Sequence, residues 1–326
     1  MFFDSVIHGD NTSWGAMREV AQVMDAGRWH GAWTVDHLIP SLDFMDSAQP
    51  CLESWVTLAG LGAVTSRLRL GTNVSATSFR NPGLLAKMAA TLDAMTSGRA
   101  ILGIGASWNA REHHAYGFDF PSPRERSDRL EEASALIHAL LHARGPVSFD
   151  GVHYRLRDAP FAPQHGGSLP IPIMIGGSGE RRTLRTVARY GDIMNVFGTP
   201  EVFEHKVRVL EGHCLAEGRD PVEIVKTVTL TVALLEDEQK AERLRARFDA
   251  SQPGSRLAGD DPSRVLSSTD LAIGSASHIV DVLGRYEKAG VDGVIFVNIP
   301  TRPELFEQLN DQILAKFDTE GDTSCR

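Results

Sequence analysis

The chain has little that would tie it to an oxidising compartment, a membrane or a nucleic acid. Only Cys51, Cys214 and Cys325 occur in 326 residues. That odd, widely spaced set suits neither a disulfide framework nor a cysteine-type zinc site. Basic runs are missing, and 33 basic against 42 acidic residues give a formal net charge of -9, which argues against non-specific binding to nucleic acid or anionic lipid. No apolar run reaches the roughly 18 residues that a membrane span needs, and the segment from Phe2 to Ile7 is short, acidic at Asp4 and without a basic leader. The expectation is a cytoplasmic protein with a small-molecule substrate and neither nucleic acid nor membrane as partner. With 42% hydrophobic and 23% charged residues, the chain can bury one large core.

What is present is alternation. Apolar runs at Phe3 to His8, Ala32 to Asp36, Leu68 to Val74, Ala100 to Gly105, Ile171 to Gly176, Asp192 to Phe197, Lys226 to Leu235 and Gly293 to Ile299 are each followed by a helix-like stretch. Helical spacing shows in Trp14, Met17, Val20, Ala21 and Met24, in Leu84, Leu85, Met88, Leu92 and Met95 before Gly98, in Leu130, Ala133, Ile137 and Leu140, and in Phe203, Val207, Leu210 and Cys214. The repeat predicts the α/β class: a single (β/α)8 TIM barrel with insertions after strands 4 and 7, since no linker separates two halves. The expected domain covers residues 1–317. A hairpin insertion at about 145–170 is marked by Asp150-Gly151, a loop insertion at about 250–272 runs through Gln252 to Asp270 as a lid candidate, and 318–326 reads as a disordered tail.

In such a barrel the site is built where the strands end. The second strand ends in Asp36-His37, an acid beside the side chain that titrates near neutrality, which suits proton transfer and equally suits tying down a loop. The third ends in Thr72-Asn73-Val74-Ser75, small groups that let a flat ring approach the backbone, before a helix capped by Asn81 and opened by Pro82. The fourth ends in Gly103-Ile104-Gly105-Ala106-Ser107-Trp108, where Trp108 can wall a ring pocket or merely pack at the rim, and Glu112 beyond it reads as favouring the helix N-terminus through the dipole. The fifth ends in Gly176-Gly177-Ser178-Gly179. With Arg182 at the start of the next helix, it makes either a phosphate-sized anion site or a tight turn with solvated arginines. Neither a Walker loop nor a Gly-x-Ser-x-Gly elbow is present. His138 and His142 lack a third ligand in zincin spacing, so no metal is expected.

Taken in order, Val35-Asp36-His37, Arg67 to Thr72 with Arg80-Asn81-Pro82, Leu85 to Asp93, Ser97-Gly98-Arg99, Leu102 to Gly105, Glu112 with Tyr116-Gly117, and Ile175 to Gly179 resemble the bacterial luciferase-like monooxygenase (LLM) superfamily, especially its coenzyme F420-dependent oxidoreductase branch. The resemblance implies that Asp36 anchors a deazaflavin and that His37 donates, accepts or orients at its ring. It implies a bulge after the third strand that backs the ring, with a non-prolyl cis peptide falling at Asn73-Val74. The phosphate is expected near Gly177, Ser178 and Gly179. The implied catalytic residues are His37 and Asp36, and the implied cofactor contacts are Asp36, Thr72, Asn73, Val74, Ser75, Trp108, Gly176, Gly177, Ser178, Gly179 and Arg182. One departure stands out: sugar-phosphate dehydrogenases of this branch carry a catalytic glutamate where this chain has Trp108.

The function implied is F420-dependent hydride transfer to or from a small organic substrate. The first alternative is an FMN-dependent two-component monooxygenase drawing on a flavin or F420 reductase. The second is a non-catalytic flavin-binding protein. A homodimer is expected by the same resemblance.

Overall fold

The computed structural model describes residues 1–9, 12–40, 49–161, 170–251 and 271–317. Residues 252–270 of the lid candidate, part of the hairpin insertion and the tail 318–326 lie outside the described residues. The first strands are β1 (Phe2–Val6), β2 (Gly31–Thr34), β3 (Arg69–Thr72), the short β4 (Ser75–Ala76) and β5 (Ala100–Gly105). A hairpin of β6 (Val147–Asp150) and β7 (Arg155–Ala159) intervenes before β8 (Ile173–Gly176), β9 (Ile193–Val196), β10 (Val225–Leu234), β11 (Ala272–Gly274) and β12 (Gly293–Val297). Parallel pairing runs β10-β12-β1-β2-β3-β5-β8-β9, and β9 pairs again with β10, so these strands close into the (β/α)8 barrel. Each apolar run singled out in the sequence supplies one of them. β11 escapes that reading because Ala272, Ile273 and Gly274 are too few to show alternation; they extend the barrel wall by pairing beyond it with Val232 to Leu234.

The helices are α1 (Trp14–Ala26), α2 (Ser54–Val64), α3 (Pro82–Met95), α4 (Ala110–Tyr116), α5 (Pro123–Leu141), α6 (Thr183–Tyr190), α7 (Pro200–Glu217), α8 (Glu238–Ser251), α9 (Ala276–Lys288) and α10 (Pro303–Gln312). Their starts are chemically marked. The Asn81 side chain accepts from the Gly83 amide with Pro82 at the first turn, Asn109 accepts from Arg111, and Glu53 accepts from Val56 at 2.7 Å. In α3 the buried stripe is Leu85, Ala86, Ala89, Ala90 and Leu92, while Leu84 and Met95 face out. The correction has a simple cause: small alanines let the helix lie close to the wall, and they outweigh the longer side chains on which the periodicity was read. No described helix is long and apolar enough to cross a membrane.

Strand alternation divides the apolar residues between two places. Phe3, Leu70, Leu102, Ile173 and Phe296 pack outward against the helices, whereas Val6, Trp33, Ile101, Met174, Ile193, Ile295 and Val297 fill the lumen. Trp33 is the largest lumen residue. A side chain at Gly71 would meet the Trp33 ring at 2.6 Å, and the indole N–H donates to Asp4 Oδ2 at 2.8 Å.

Above this plug the wall opens on the β3 side. The Asn73-Val74 peptide is cis, and Val74 lies where side chains at Gly105 and Gly176 would otherwise be, 2.5 Å and 2.9 Å from their built Cβ positions. Gly103 lets the Thr72 carbonyl come closer than any side chain permits. Gly103→Ala is therefore expected to destabilise the protein by about 3 kcal/mol or more, because the obstacle is backbone that cannot swing away. Urea-unfolding midpoints test this, and a change of less than about 1 kcal/mol would show that β3 and β5 can move apart freely.

Candidate active site

The loop that follows β2 carries Asp36 and His37, and their side chains go to different partners. Asp36, 4% exposed, turns to the β3 side, where Oδ2 accepts from the Ala76 amide at 3.1 Å and from Arg80 at 2.6 Å. The other guanidinium nitrogen of Arg80 reaches Glu53 at 2.6 Å, so the residue that caps α2 also steadies this ion pair. Asp36 Oδ1 is buried with no partner among the described residues. Burial pushes the Asp36 carboxyl up from the ordinary aspartate value of 3.8, and the Arg80 charge and hydrogen bond oppose that rise.

His37 turns to α4. Its Nδ1 lies 3.0 and 3.1 Å from the two oxygens of Glu112, and Glu112 Oε2 also accepts from the Leu38 amide at 3.1 Å. Since a carboxylate that accepts a backbone N–H has only lone pairs to offer, the ring donates from Nδ1, and Nε2 carries the exchangeable position. Nε2 has no partner among the described residues. Glu112 is 2% exposed. It is therefore not a solvated dipole residue, as its place in the helix suggests, but the orienter of His37. Arg111 and Tyr116 of the same helix hold the loop further along through the Pro40 and Leu38 carbonyls at 2.7 and 3.2 Å. Trp108 sits edge-to-face with His37, ring centres 5.5 Å apart at 80°.

Thr72 and Ser75 are fully buried. Their hydroxyls bond to each other at 2.9 Å, and Thr72 donates to the Gly103 carbonyl at 2.9 Å, while the Trp55 indole donates to Ser75 at 3.0 Å. These side chains hold the wall in shape, their hydroxyls engaged within it. Asn73 donates to Thr229, which bonds Asn195, a polar ladder across the lumen at 3.1 and 3.0 Å. On α4, His113 Nδ1 donates to the Asn109 carbonyl at 2.7 Å, so its Nε2 accepts from Ser78 at 2.7 Å. Burial pushes the His113 pKa down, in keeping with a neutral ring.

Beyond Val74, Gly176 to Gly179 forms the turn after β8. Gly177 has φ +135, a side chain at Gly179 would meet Thr183 Oγ1 at 2.9 Å, and Ser178 is 3% exposed. Among the described residues the amides of Ser178 and Gly179 and the Ser178 hydroxyl have no partner. Glu180, next in the chain, is held by Lys206 and His205 of α7 at 2.8 and 2.9 Å. Arg182 does not join the turn. Its guanidinium pairs with Asp128 on α5, because at the helix start it points along the outside of the barrel.

The structure thus gathers Asp36, His37, Val74 and Trp108 at the barrel mouth, with the Gly176 to Gly179 turn starting beside Val74, and sets Arg182 apart. Sequence reasoning quoted Arg80 only as part of the Arg80-Asn81-Pro82 motif and passed over Glu53; they lie 44 and 17 positions from Asp36. It also undervalued Glu112, which it quoted with Tyr116-Gly117 but read as favouring the helix N-terminus.

A parallel barrel whose rim carries a carboxylate-oriented histidine, a bulged wall and an anion-sized glycine turn defines a ligand-binding enzyme of the cofactor-dependent barrel class. The family can be stated too. Residues 1–293 match the model of the luciferase-like monooxygenase family, and the chain belongs to that family. It is 34% identical over 281 residues to an F420-dependent glucose-6-phosphate dehydrogenase of Kineococcus radiotolerans, covering 81% of each chain. To a phthiodiolone/phenolphthiodiolone dimycocerosates ketoreductase of Mycobacterium tuberculosis it is 34% identical over 196 residues, 59% of this chain but only 50% of that protein. In fold it is similar to an F420-dependent secondary alcohol dehydrogenase solved with an F420-acetone adduct, at a TM-score of 0.82, 18% identity, and coverage of 97% of this chain and 99% of that one.

The Asp36 and Arg80 pair gives a pH-dependent expectation. With its pKa raised, folded Asp36 holds a proton to higher pH than unfolded Asp36, so its contribution to stability falls as pH rises from the unfolded value through the folded one. Arg80→Met removes the chief opposing charge and widens that window upward. The variant is expected to lose about 3 kcal/mol or more at neutral pH, with the deficit shrinking as pH falls through the folded value and then below the unfolded value of 3.8, where Asp36 is protonated in both states. Urea midpoints across that range measure it, and a deficit independent of pH would assign the loss to packing alone.

Proposed function

We propose that the protein is an F420-dependent oxidoreductase that moves a hydride between the deazaflavin and a small organic substrate while His37 exchanges the accompanying proton. The observation that carries this reading is the His37 and Glu112 pair, which fixes one tautomer at the barrel mouth and leaves Nε2 available. A protein that only stored a cofactor would have no use for such a pair.

The residues fit the cofactor. Val74, seated between Gly105 and Gly176, backs a flat ring; Asp36 Oδ1, buried and unpartnered, offers an acceptor at the rim; the amides of Ser178 and Gly179 with the Ser178 hydroxyl suit a phosphate. Asp36, Asn73, Val74, Trp108 and Gly176 to Gly179 make up the proposed cofactor side, with Thr72 and Ser75 shaping the wall behind it. When bound, the deazaflavin supplies a two-electron hydride carrier. For substrate oxidation His37 Nε2 accepts the hydroxyl proton, and the Glu112 carboxylate steadies the imidazolium so formed; for reduction the same ring returns the proton. Trp108 shields the outer edge of that ring from water.

The family match also leaves an FMN-dependent monooxygenase open as a second reading, with a reductase as its source of reduced flavin. A homodimer belongs to either reading, and light scattering on the purified protein measures it.

Titration with F420 and with FMN, followed by fluorescence, separates the two readings. Micromolar F420 binding is expected, and FMN binding without a response to F420 would sink the first. His37→Ala should lower kcat about 100-fold or more while the F420 Kd stays within about threefold. Glu112→Gln should lower kcat without raising the Kd, and Glu112→Asp should recover part of the loss. For the phosphate, Ser178→Asp is expected to weaken F420 binding about tenfold or more through charge repulsion. An unchanged Kd would move the phosphate elsewhere.

A further inference from the structure

We infer that Lys206 is the positioning residue that lets the Gly176 to Gly179 turn take a phosphate, by neutralising and holding the Glu180 carboxylate at the edge of the turn; this rests on the phosphate placement above and adds a residue outside the turn itself. Glu180 follows Gly179 directly. A carboxylate therefore stands beside an anion site whose own donors are amides and one hydroxyl. The hydrogen bond from Lys206, above all, lowers the Glu180 carboxyl from its ordinary value of 4.5, so it is charged at neutral pH. Left uncompensated, that charge repels a phosphate.

Lys206 lies on α7 and is fully buried, with Nζ 2.8 Å from Glu180 Oε1. A lysine so placed keeps its charge only beside an opposite one, and it has no path to touch a ligand in the turn. It acts through Glu180. His205 approaches the same carboxylate oxygen at 2.9 Å, but its side chain is 52% exposed, where water and salt weaken its charge. Arg182 is turned to Asp128, and Arg181 is exposed. Lys206 is thus the buried counter-charge to Glu180.

The shape of the turn is held by other bonds. The Gly177 amide donates to the Asn195 carbonyl at 3.0 Å and the Leu184 amide donates to the Gly179 carbonyl at 3.0 Å. His213 Nε2 donates to the Glu180 carbonyl at 2.7 Å, so α7 grips the backbone at Glu180 independently of the side chain. None of these bonds passes through Lys206. Its contribution is therefore to the charge beside the turn and not to the path of the chain, and the two roles can be separated by removing both charges together.

The test is fluorescence titration of the full chain with F420 and with the deazaflavin riboside that lacks the phosphate. Lys206→Met keeps an unbranched side chain of similar length in the buried position and removes the charge. Its F420 Kd should be weaker than that of the unsubstituted protein by about fivefold in about 0.05 M salt and by less than about twofold in about 0.5 M salt, where the repulsion is screened. Its Kd for the phosphate-free riboside should stay within about twofold, which also shows that the variant is folded. Adding Glu180→Gln to Lys206→Met removes the repelling carboxylate, and the F420 Kd should return to within about twofold of the unsubstituted value. A double variant as weak as Lys206→Met, with a loss that salt does not reduce, would make Lys206 a mere tether and overturn the inference. So would an unchanged F420 Kd in Lys206→Met, or an equal loss for the phosphate-free riboside; each leaves hydride transfer standing. An unsubstituted protein that binds both deazaflavins equally well would remove the phosphate from the turn, and one that binds neither would remove the F420 reading itself.

Discussion

A buried carboxylate has to be compensated, and at Glu112 the compensation organises the site. At 2% exposure its charge can be kept only by donors brought to it, and these come from the loop after β2: His37 Nδ1 and the Leu38 amide. The loop is thereby fixed against α4, the imidazole is fixed in one tautomer, and Trp108 at the foot of that helix is brought edge-on to the ring. Arg111 and Tyr116 extend the same attachment to Pro40 and Leu38. Removing the carboxylate would release loop, tautomer and aromatic wall together, which is why one helix residue matters to three parts of the mouth.

Asp36, on the same loop after β2, follows the same rule with its side chain turned to the β3 side. Its partner Arg80 stands just before the Asn81 cap of α3, and Glu53, the cap of α2, closes the chain of charges. Two helix starts and one strand end are thus coupled through a single guanidinium. Between these anchored loops the wall is set by steric exclusion: Val74 occupies the space that Gly105 and Gly176 leave, and Gly103 admits the Thr72 carbonyl. Thr72 and Ser75, whose polarity on a strand end suggests ligand contact, spend their hydroxyls on each other and on Gly103 and Trp55.

Much of the fold was legible because it is written in local periodicity. The eight barrel strands, the hairpin around Asp150-Gly151 and the Asn81-Pro82 helix start all follow from spacing and capping within a few residues. Asp36-His37 and the Gly176 to Gly179 turn could be singled out as candidates, since in each the polar and glycine residues are adjacent in the chain. What escaped was pairing at a distance. Nothing local to Arg182 shows that Asp128, 54 positions earlier, will claim its guanidinium, and nothing local to Glu112 shows that His37, 75 positions away, needs it. The α3 stripe was misplaced for a related reason, because alanines carry little hydropathy but allow the closest approach.

The sequence by itself determined the alternating α/β pattern, its closure into a barrel, the position of the candidate site at the strand ends and the resemblance to the luciferase-like family, all of which rest on short-range patterns of apolar, glycine and capping residues. Tertiary structure alone decided which polar groups face one another: His37 with Glu112 rather than with Asp36, Asp36 with Arg80, and Arg182 with Asp128 rather than with the glycine turn. The physical reason is that a buried or half-buried charge takes whichever partner the packed barrel brings within hydrogen-bond distance, and in a (β/α)8 fold that partner comes from a neighbouring unit tens of residues away.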